Sequence, residues 1–193
     1  MRKKKALFLG RFQPPSIAHL ETVRTILKQW DNLTIAVVYN SPRPKNVDPR
    51  WVRPLEIEDA SSYSQPKNPF SSTEVGLMWE ECLKVAGVTS RVMVTETLRP
   101  QFYPFNERFP PEGFNWVSIT PNEKNNNSLD RLQMYEELFG RKIWLVKPEF
   151  ELHNTEIKKI VSLGRSWKEF IPAGAFEIFI EVDGPSRITA TIS

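Results

Sequence analysis

Residues 6–19 read ALFLGRFQPPSIAH, a short apolar run that passes into the start of a helix. The run from Ala6 to Leu9 is too short for a helix and ends at Gly10, which is typical of a buried strand. Apolar residues then recur at helical spacing from Ile17 to Trp30. The β-branched run from Thr34 to Tyr39 predicts a second strand. Strand, helix and strand in this order predict a parallel β-α-β unit.

The rest of the chain repeats this alternation of apolar runs and helical patterns. Of 16 prolines, six lie between Pro42 and Pro69 and four between Pro100 and Pro111, which indicates two long loops. We predict an α/β fold with a parallel sheet, helices on both faces and a helical C-terminal tail, as one domain over residues 1–193. Proline-rich insertions are predicted near 42–67 and 98–113. The other predicted elements are helices at about 75–85, 128–139, 155–163 and 173–182, strands at 91–95, 116–119 and 143–146, and a turn at 167–171.

Composition limits the partners of the chain. With 26 Lys and Arg against 23 Asp and Glu, the formal net charge of +3 is too small to indicate a nucleic-acid or membrane partner, although it allows small anionic substrates. The single cysteine, Cys82, excludes an internal disulfide and a multi-cysteine zinc cluster. No segment approaches the roughly 18 apolar residues of a membrane span, and the apolar run after residue 5 is too short for a signal peptide. We expect a cytoplasmic protein with no nucleic-acid or membrane partner.

The turn after the first predicted strand is the candidate ligand site, because ligands of parallel sheets bind at the carboxyl ends of the strands. Gly10 lets the backbone approach a ligand, Arg11 supplies a cation, and His19 lies near the N-terminus of the predicted helix. His19 falls off the apolar stripe of that helix, so its ring is expected to face the strand ends instead of the core. Together these features indicate an anion site.

Residues 10–19 resemble the first signature of the nucleotidylyltransferase superfamily, and GRFQP is similar to the form found in archaeal-type nicotinamide mononucleotide (NMN) adenylyltransferases. Three further segments resemble motifs of this family. They are NPFSSTE at 68–74 followed by Leu77-Met78, LHNTEIK at 152–158, and the pair GRSWKEFIP at 164–172 and DGPSRI at 183–188. Four motifs in the expected order span nearly the whole chain and are much more specific than one.

The resemblance implies a Rossmann-like fold of the nucleotidylyltransferase type. It also implies a reaction in which a substrate phosphate attacks the α-phosphate of a nucleoside triphosphate and pyrophosphate leaves. Catalytic roles are implied for His19, Arg11 and Ser16, and acceptor binding for Asn40 and Glu74. Mg²⁺ would enter with the nucleotide, held by phosphate oxygens and water, and a homo-oligomer is expected because the family often forms one. The implied nucleotide-binding residues are Gly10, Phe12, Gln13, His153, Asn154, Thr155 and Lys158.

The chain departs from the family pattern at several of these positions. Ser16 stands where the first histidine of a His-x-Gly-His motif is expected. In the late motif His153 and Asn154 replace serine and glycine, and Lys158 replaces arginine, which exchanges a bidentate donor for a point charge. Two interpretations of His153 stay open: it restores the imidazole missing at Ser16, or it is a helix-entry residue exposed to water. Glu74 likewise either binds the acceptor or caps its helix.

The leading functional hypothesis is magnesium-dependent nucleotidyl transfer, in particular adenylyl transfer, to a phosphorylated small molecule, with NMN the default acceptor by resemblance. A second version of this hypothesis has the same nucleotidyl transfer with an acceptor other than NMN. The basic and aromatic residues of the two proline-rich loops favour this version, because such residues can bind a phosphate and stack on a base. The alternative from another class is a catalytically lapsed nucleotide-binding protein that serves as a sensor or regulatory subunit. Ser16 and Lys158 are the substitutions that keep this alternative open.

Overall fold

The computed structural model describes residues 5–39, 68–100, 105–121, 126–149 and 152–192. Five parallel strands form one sheet in the order β3-β2-β1-β4-β5, which confirms the predicted parallel α/β fold. Asn40 and the predicted insertion near 42–67 lie outside the described residues. The strands are β1 (Lys5–Gly10), β2 (Leu33–Val38), β3 (Val92–Thr97), β4 (Phe114–Ile119) and β5 (Ile143–Val146).

Seven α-helices and two short 3₁₀ turns accompany the sheet within the described ranges. Among the helices placed there, none combines the length and the apolar character needed to cross a bilayer. The helices are α1 (Ile17–Gln29), α2 (Ser72–Val85), α3 (Phe105–Arg108), α4 (Asn126–Phe139), α5 (Asn154–Ser162), α6 (Ala173–Glu181) and α7 (Gly184–Ile192), and the 3₁₀ turns are Thr89–Arg91 and Lys168–Phe170.

Helices cover both faces of the sheet, because successive strand residues point to opposite sides. On one side Phe8 and Ile35 join a core formed with α1, α2, α5, α6 and α7. On the other side Leu7 and Ala36 pack with aromatic residues of α3 and α4. The predicted two-sided arrangement is therefore confirmed.

The strand order reverses at β1, which pairs with β2 on one side and with β4 on the other. Leu7, for example, lies between Thr34 of β2 and Trp116 of β4. The connection from β1 to β2 runs through α1 on one face, whereas α3 packs on the opposite face before β4. A crevice outside the carboxyl ends of the strands is expected at such a reversal. The fold thus places the predicted turn after β1 at the position suited to ligand binding.

Two helices were not predicted from the sequence. α7 begins with a Gly-Pro pair and contains several β-branched residues, all poor helix formers in isolation. Its Ile188 is nevertheless fully buried in the core, so tertiary packing overrides local propensity. α3 lies inside the predicted second insertion, and its Phe105 is buried together with Phe109. That loop therefore contributes aromatic side chains to the core.

Candidate active site

The turn between β1 and α1 is tightly packed around the ring of Phe12. Phe12 is buried with a positive φ of 48°, and a Cβ built on Gly10 would lie 2.6 Å from its ring. Any other residue at position 10 would require the Phe12 ring to move. The Phe12 ring also contacts the rings of Trp79 and His19 edge to face, with centroids 5.2 and 5.1 Å apart. The backbone at Gly10–Phe12, predicted to support the nucleotide, is thus fixed by aromatic packing.

Ser16 and His19 form the first turn of α1 as a reciprocal cap. The Ser16 backbone N–H donates to Nδ1 of His19 at 3.1 Å, and the His19 backbone N–H donates to the Ser16 hydroxyl at 3.4 Å. Because a backbone N–H is always a donor, Nδ1 is the acceptor and the proton of the neutral ring lies on Nε2. Ser16, whose Oγ also lies 2.9 Å from Nδ1, is fully buried. Ser16 therefore fixes the orientation of the His19 ring.

His19 is a neutral donor at physiological pH. Burial, and in second place the charge of nearby His153, lowers the pKa of His19 to about 4. The sequence predicted a ring that faces the strand ends instead of the core, but the structure places it partly buried against Phe12 and Trp79. The apolar stripe did not reveal this, because Trp79 comes from α2, far along the chain. The neutral His19 ring therefore keeps one N–H, at Nε2, as a hydrogen-bond donor.

Gln13 connects the β1–α1 turn to the segment that precedes α2. Its Nε2 donates to the carbonyl of Phe70 at 2.9 Å, and its Oε1 accepts from the Phe70 N–H at 3.0 Å. Gln13 is 5% exposed, so this paired contact is sheltered from water. Its predicted nucleotide-binding role stays a prediction, and the observed contacts of the side chain are structural.

Glu74 is held by a cap and by an arginine that the sequence analysis did not select. Its Oε2 accepts from the Ser71 N–H at 2.7 Å, which completes the predicted capping box of α2. Arg187 of α7 donates to both carboxylate oxygens, at 2.6 and 3.1 Å, and lies over the Phe70 ring. The Arg187 hydrogen bond is the main reason that the pKa of Glu74 lies below its usual range. The capping alternative is the one observed, and acceptor binding by Glu74 stays a prediction.

The entrance of α5 meets the β1–α1 turn. Asn154 donates from Nδ2 to the Pro14 carbonyl at 3.0 Å, across 140 positions of the chain. His153 lies exposed at the N-cap, where its backbone N–H donates to Glu156 at 3.1 Å. Thr155 is exposed and Lys158 is partly buried on the same short helix. The first and third motifs are thus joined by a direct hydrogen bond.

A cleft of about 250 Å³ opens at the carboxyl ends of β1, β2 and β4, and the described residues that line it include none from α5 and neither Ser16 nor His19. Trp116 and Tyr135, two of its lining residues, stack with centroids 5.5 Å apart. Among the predicted site residues, Gly10 and Arg11 line the cleft. Arg99 and Arg131 line it as well, although sequence reasoning missed both. The signal for Arg99 was its place just after β3, because ligands of parallel sheets bind at the carboxyl ends of the strands.

No family model matches the chain. Curated proteins do resemble it over nearly their full length. The chain is 24% identical over 189 residues to a nicotinamide-nucleotide adenylyltransferase of Methanolobus tindarius, covering 96% of this chain and 92% of the relative. It is 26% identical over 200 residues to the protein of the same name from Thermoplasma acidophilum, covering 97% and 91%.

Solved structures share the fold. The nicotinic acid mononucleotide adenylyltransferase of Plasmodium falciparum matches with a TM-score of 0.61 at 9% identity, covering 96% of this chain and 98% of the other. A bifunctional NMN adenylyltransferase/ADP ribose pyrophosphatase of Francisella tularensis also gives 0.61, at 16% identity, over 97% of this chain and 53% of the other. The chain is thus similar over nearly its whole length to archaeal nicotinamide-nucleotide adenylyltransferases, and it shares the fold of solved mononucleotide adenylyltransferases.

Proposed function

We propose that this protein is an adenylyltransferase that joins the AMP part of ATP to a pyridine mononucleotide, with NMN as the default acceptor. An oxygen of the acceptor phosphate attacks the α-phosphorus of ATP, the bond from that phosphorus to the bridging oxygen breaks, and pyrophosphate leaves. No covalent enzyme intermediate is needed. The observation that carries the proposal is the hydrogen bond from Asn154 to Pro14, which joins the two segments that we propose to bind the phosphates.

The entrance of α5 is suited to the β- and γ-phosphates. The first N–H groups of a helix have no partner inside the helix, and the helix dipole adds a partial positive charge at this end. The Thr155 hydroxyl and the Lys158 ammonium lie on the first turns of the same helix.

The β1–α1 turn is suited to the phosphate that is transferred. Arg11 follows β1 directly and supplies a permanent positive charge. His19 supplies a neutral Nε2–H, held in one orientation by Ser16 and by the rings of Phe12 and Trp79. Fixed donors of this kind stabilise the charge that develops in a transition state at little cost of reorganisation. Positioning and charge neutralisation are what a phosphoryl-type transfer requires.

His153 is the candidate for the second imidazole of the site. Ser16 cannot contribute a ring, and its hydroxyl is already engaged with His19. His153 lies at the end of α5 that faces this turn, near enough for its charge to act on His19. We propose that it contributes a hydrogen bond to the phosphates. The alternative, a helix-entry residue exposed to water, predicts no effect of His153→Ala on turnover.

Mg²⁺ is proposed to enter as a complex with ATP. Within the described ranges, no three His, Cys, Asp or Glu side chains lie close enough together to hold a metal ion. The donors at the site are instead amides, hydroxyls and cations, which suit phosphate oxygens. Mg²⁺ commonly keeps several water ligands and takes phosphate oxygens as the others. The cytoplasmic location, the homo-oligomer and the lack of a nucleic-acid partner stay predictions.

Pyrophosphate release tests the proposal. Purified protein is incubated with ATP, Mg²⁺ and NMN, and pyrophosphate and the dinucleotide product are measured in parallel. We expect both products in equal amounts, and neither when the acceptor is omitted. Nicotinate mononucleotide serves as a second acceptor. Binding of ATP without turnover on either acceptor would contradict the proposal and favour the lapsed, sensor-type alternative.

A further inference from the structure

Helix α7 contributes one side chain that connects it to the segment leading into α2. Arg187 donates to both carboxylate oxygens of Glu74, at 2.6 and 3.1 Å. The same guanidinium donates to the carbonyl of Pro69, and its Cζ lies 5.1 Å from the centroid of the Phe70 ring. A guanidinium suits these contacts because its donors lie in a rigid planar fork. Arg187 therefore fixes the segment before α2 against α7.

Phe70, the last residue of this segment before the cap of α2, is held from a second side. Its ring is buried and contacts the ring of Phe179 on α6, with centroids 5.6 Å apart. Helix α6 itself packs closely on α2, because a Cβ built on Gly174 would lie 2.3 Å from the carbonyl oxygen of Glu81. The backbone of Phe70 thus has a rigid support formed by α2, α6 and α7.

The Phe70 backbone holds the β1–α1 turn through the side chain of Gln13. The Gln13 amide donates to the Phe70 carbonyl at 2.9 Å and accepts from the Phe70 N–H at 3.0 Å. Gln13 is buried, which strengthens both hydrogen bonds. The next residue of the turn, Pro14, accepts from Asn154 at the entrance of α5. Two adjacent residues of the turn are therefore bonded to two different segments of the chain.

Resting on the proposed function, we infer that Arg187 is a positioning residue for adenylyl transfer: through Phe70 and Gln13 it sets the place of the β1–α1 turn relative to the entrance of α5. Helix α7 also packs against α5, so both segments proposed to bind the phosphates are connected to the same helix. In a reaction that depends on positioning, a displacement of about 1 Å can cost about 100-fold in rate.

The test measures kcat for adenylyl transfer at saturating ATP, Mg²⁺ and NMN, and ATP binding by calorimetry on the same folded samples. We expect Arg187→Met to lower kcat about 10- to 100-fold. The affinity for ATP should change much less, because every group proposed to bind the phosphates is still present. Arg187→Lys keeps the charge opposite Glu74 but lacks the planar fork, so its kcat should be intermediate. This variant also serves if Arg187→Met does not fold.

Arg91→Met is the matched control, with the same residue type and the same substitution. Arg91 likewise carries several hydrogen bonds, to the carbonyls of Leu27, Trp30 and Asp31. It directly precedes β3 and so lies at the amino ends of the strands, on the edge of the sheet opposite the proposed site. Its removal should lower the free energy of unfolding and leave kcat at the wild-type value.

A double-mutant cycle tests the route through Gln13. If Arg187 acts through this side chain, Arg187→Met should lower kcat much less in a Gln13→Ala background than in the wild type. Additive losses in kcat, or an Arg187→Met protein as fast as Arg91→Met, would overturn the inference while adenylyl transfer itself stands. A wild-type protein that releases no pyrophosphate with NMN or nicotinate mononucleotide would instead refute the proposed function, and the inference with it.

Discussion

His19→Ala is expected to lower kcat for adenylyl transfer by about 10² to 10³-fold, the usual loss when one preorganised donor is removed from a transition state. The ring has a fixed tautomer, because the Ser16 N–H donates to Nδ1, so its Nε2–H is available to the phosphate. Binding of ATP should change much less than turnover, since Arg11 and the entrance of α5 remain. Steady-state kinetics together with an ATP titration on the same variant separate the two effects.

Two conservative variants distinguish catalysis from helix capping. Asparagine at position 19 can offer an amide oxygen to the Ser16 N–H and keep the cap, but it has no group at the place of Nε2. Glutamine can reach that place with its own N–H but does not reproduce the cap. We expect His19→Asn to be folded and as slow as His19→Ala, with His19→Gln faster than both. Full activity in a well-folded His19→Asn protein would show that His19 only caps α1.

Trp79→Ala is expected to reduce the free energy of unfolding by about 3–5 kcal/mol, the usual cost of truncating a buried tryptophan. Trp79 is fully buried and contacts the rings of Phe12 and His19. Because small domains have only about 5–15 kcal/mol of stability in total, this is a severe loss. Chemical denaturation measures it. Leu77→Ala is the control on the same helix, because Leu77 is 47% exposed and its truncation should cost little.

The same variant should change the titration of His19. Water admitted beside the ring relieves the desolvation that holds its pKa at about 4, so the pKa should rise toward 6.5. In the wild-type protein the folded state binds fewer protons than the unfolded state between these values. The contribution of His19 to the free energy of unfolding is therefore fully present above pH 6.5 and is lost as the pH falls toward 4. Proton NMR of the imidazole follows the shift, and a pKa unchanged by Trp79→Ala would contradict the role given to this ring.

The parts of the fold that depend on local pattern were predictable from the sequence. The apolar run before Gly10 and the β-branched run after Asn32 gave the first two strands to within one or two residues at each end. Helix α1 was equally clear, because its apolar residues recur at one spacing and Ser16 caps its start. α7 was missed because its residues favour other conformations locally, and the burial of Ile188 and the ion pair of Arg187 with Glu74 depend on distant parts of the chain.

The candidate site was predictable only where its residues belong to one motif. The resemblance named residues of the β1–α1 turn and of the entrance of α5 as nucleotide-binding, and the hydrogen bond from Asn154 to Pro14 shows that the two segments meet. Contacts between distant segments left no sequence signal, as with the ion pair of Arg187 and Glu74. The same holds for Arg131, whose place beside the cleft depends on how α4 packs on the sheet.

Calorimetric titration with ATP and Mg²⁺, in the absence of acceptor, tests most directly whether the β1–α1 turn and the entrance of α5 bind a triphosphate together. We expect the wild-type protein to bind ATP, and Arg11→Ala and Lys158→Ala each to weaken binding about tenfold or more, because each removes one charge-assisted contact. Lys159→Ala, at the exposed neighbouring position on α5, should bind as the wild type does. A folded wild-type protein that binds no nucleoside triphosphate, or that binds ATP equally well in all three variants, would contradict the account.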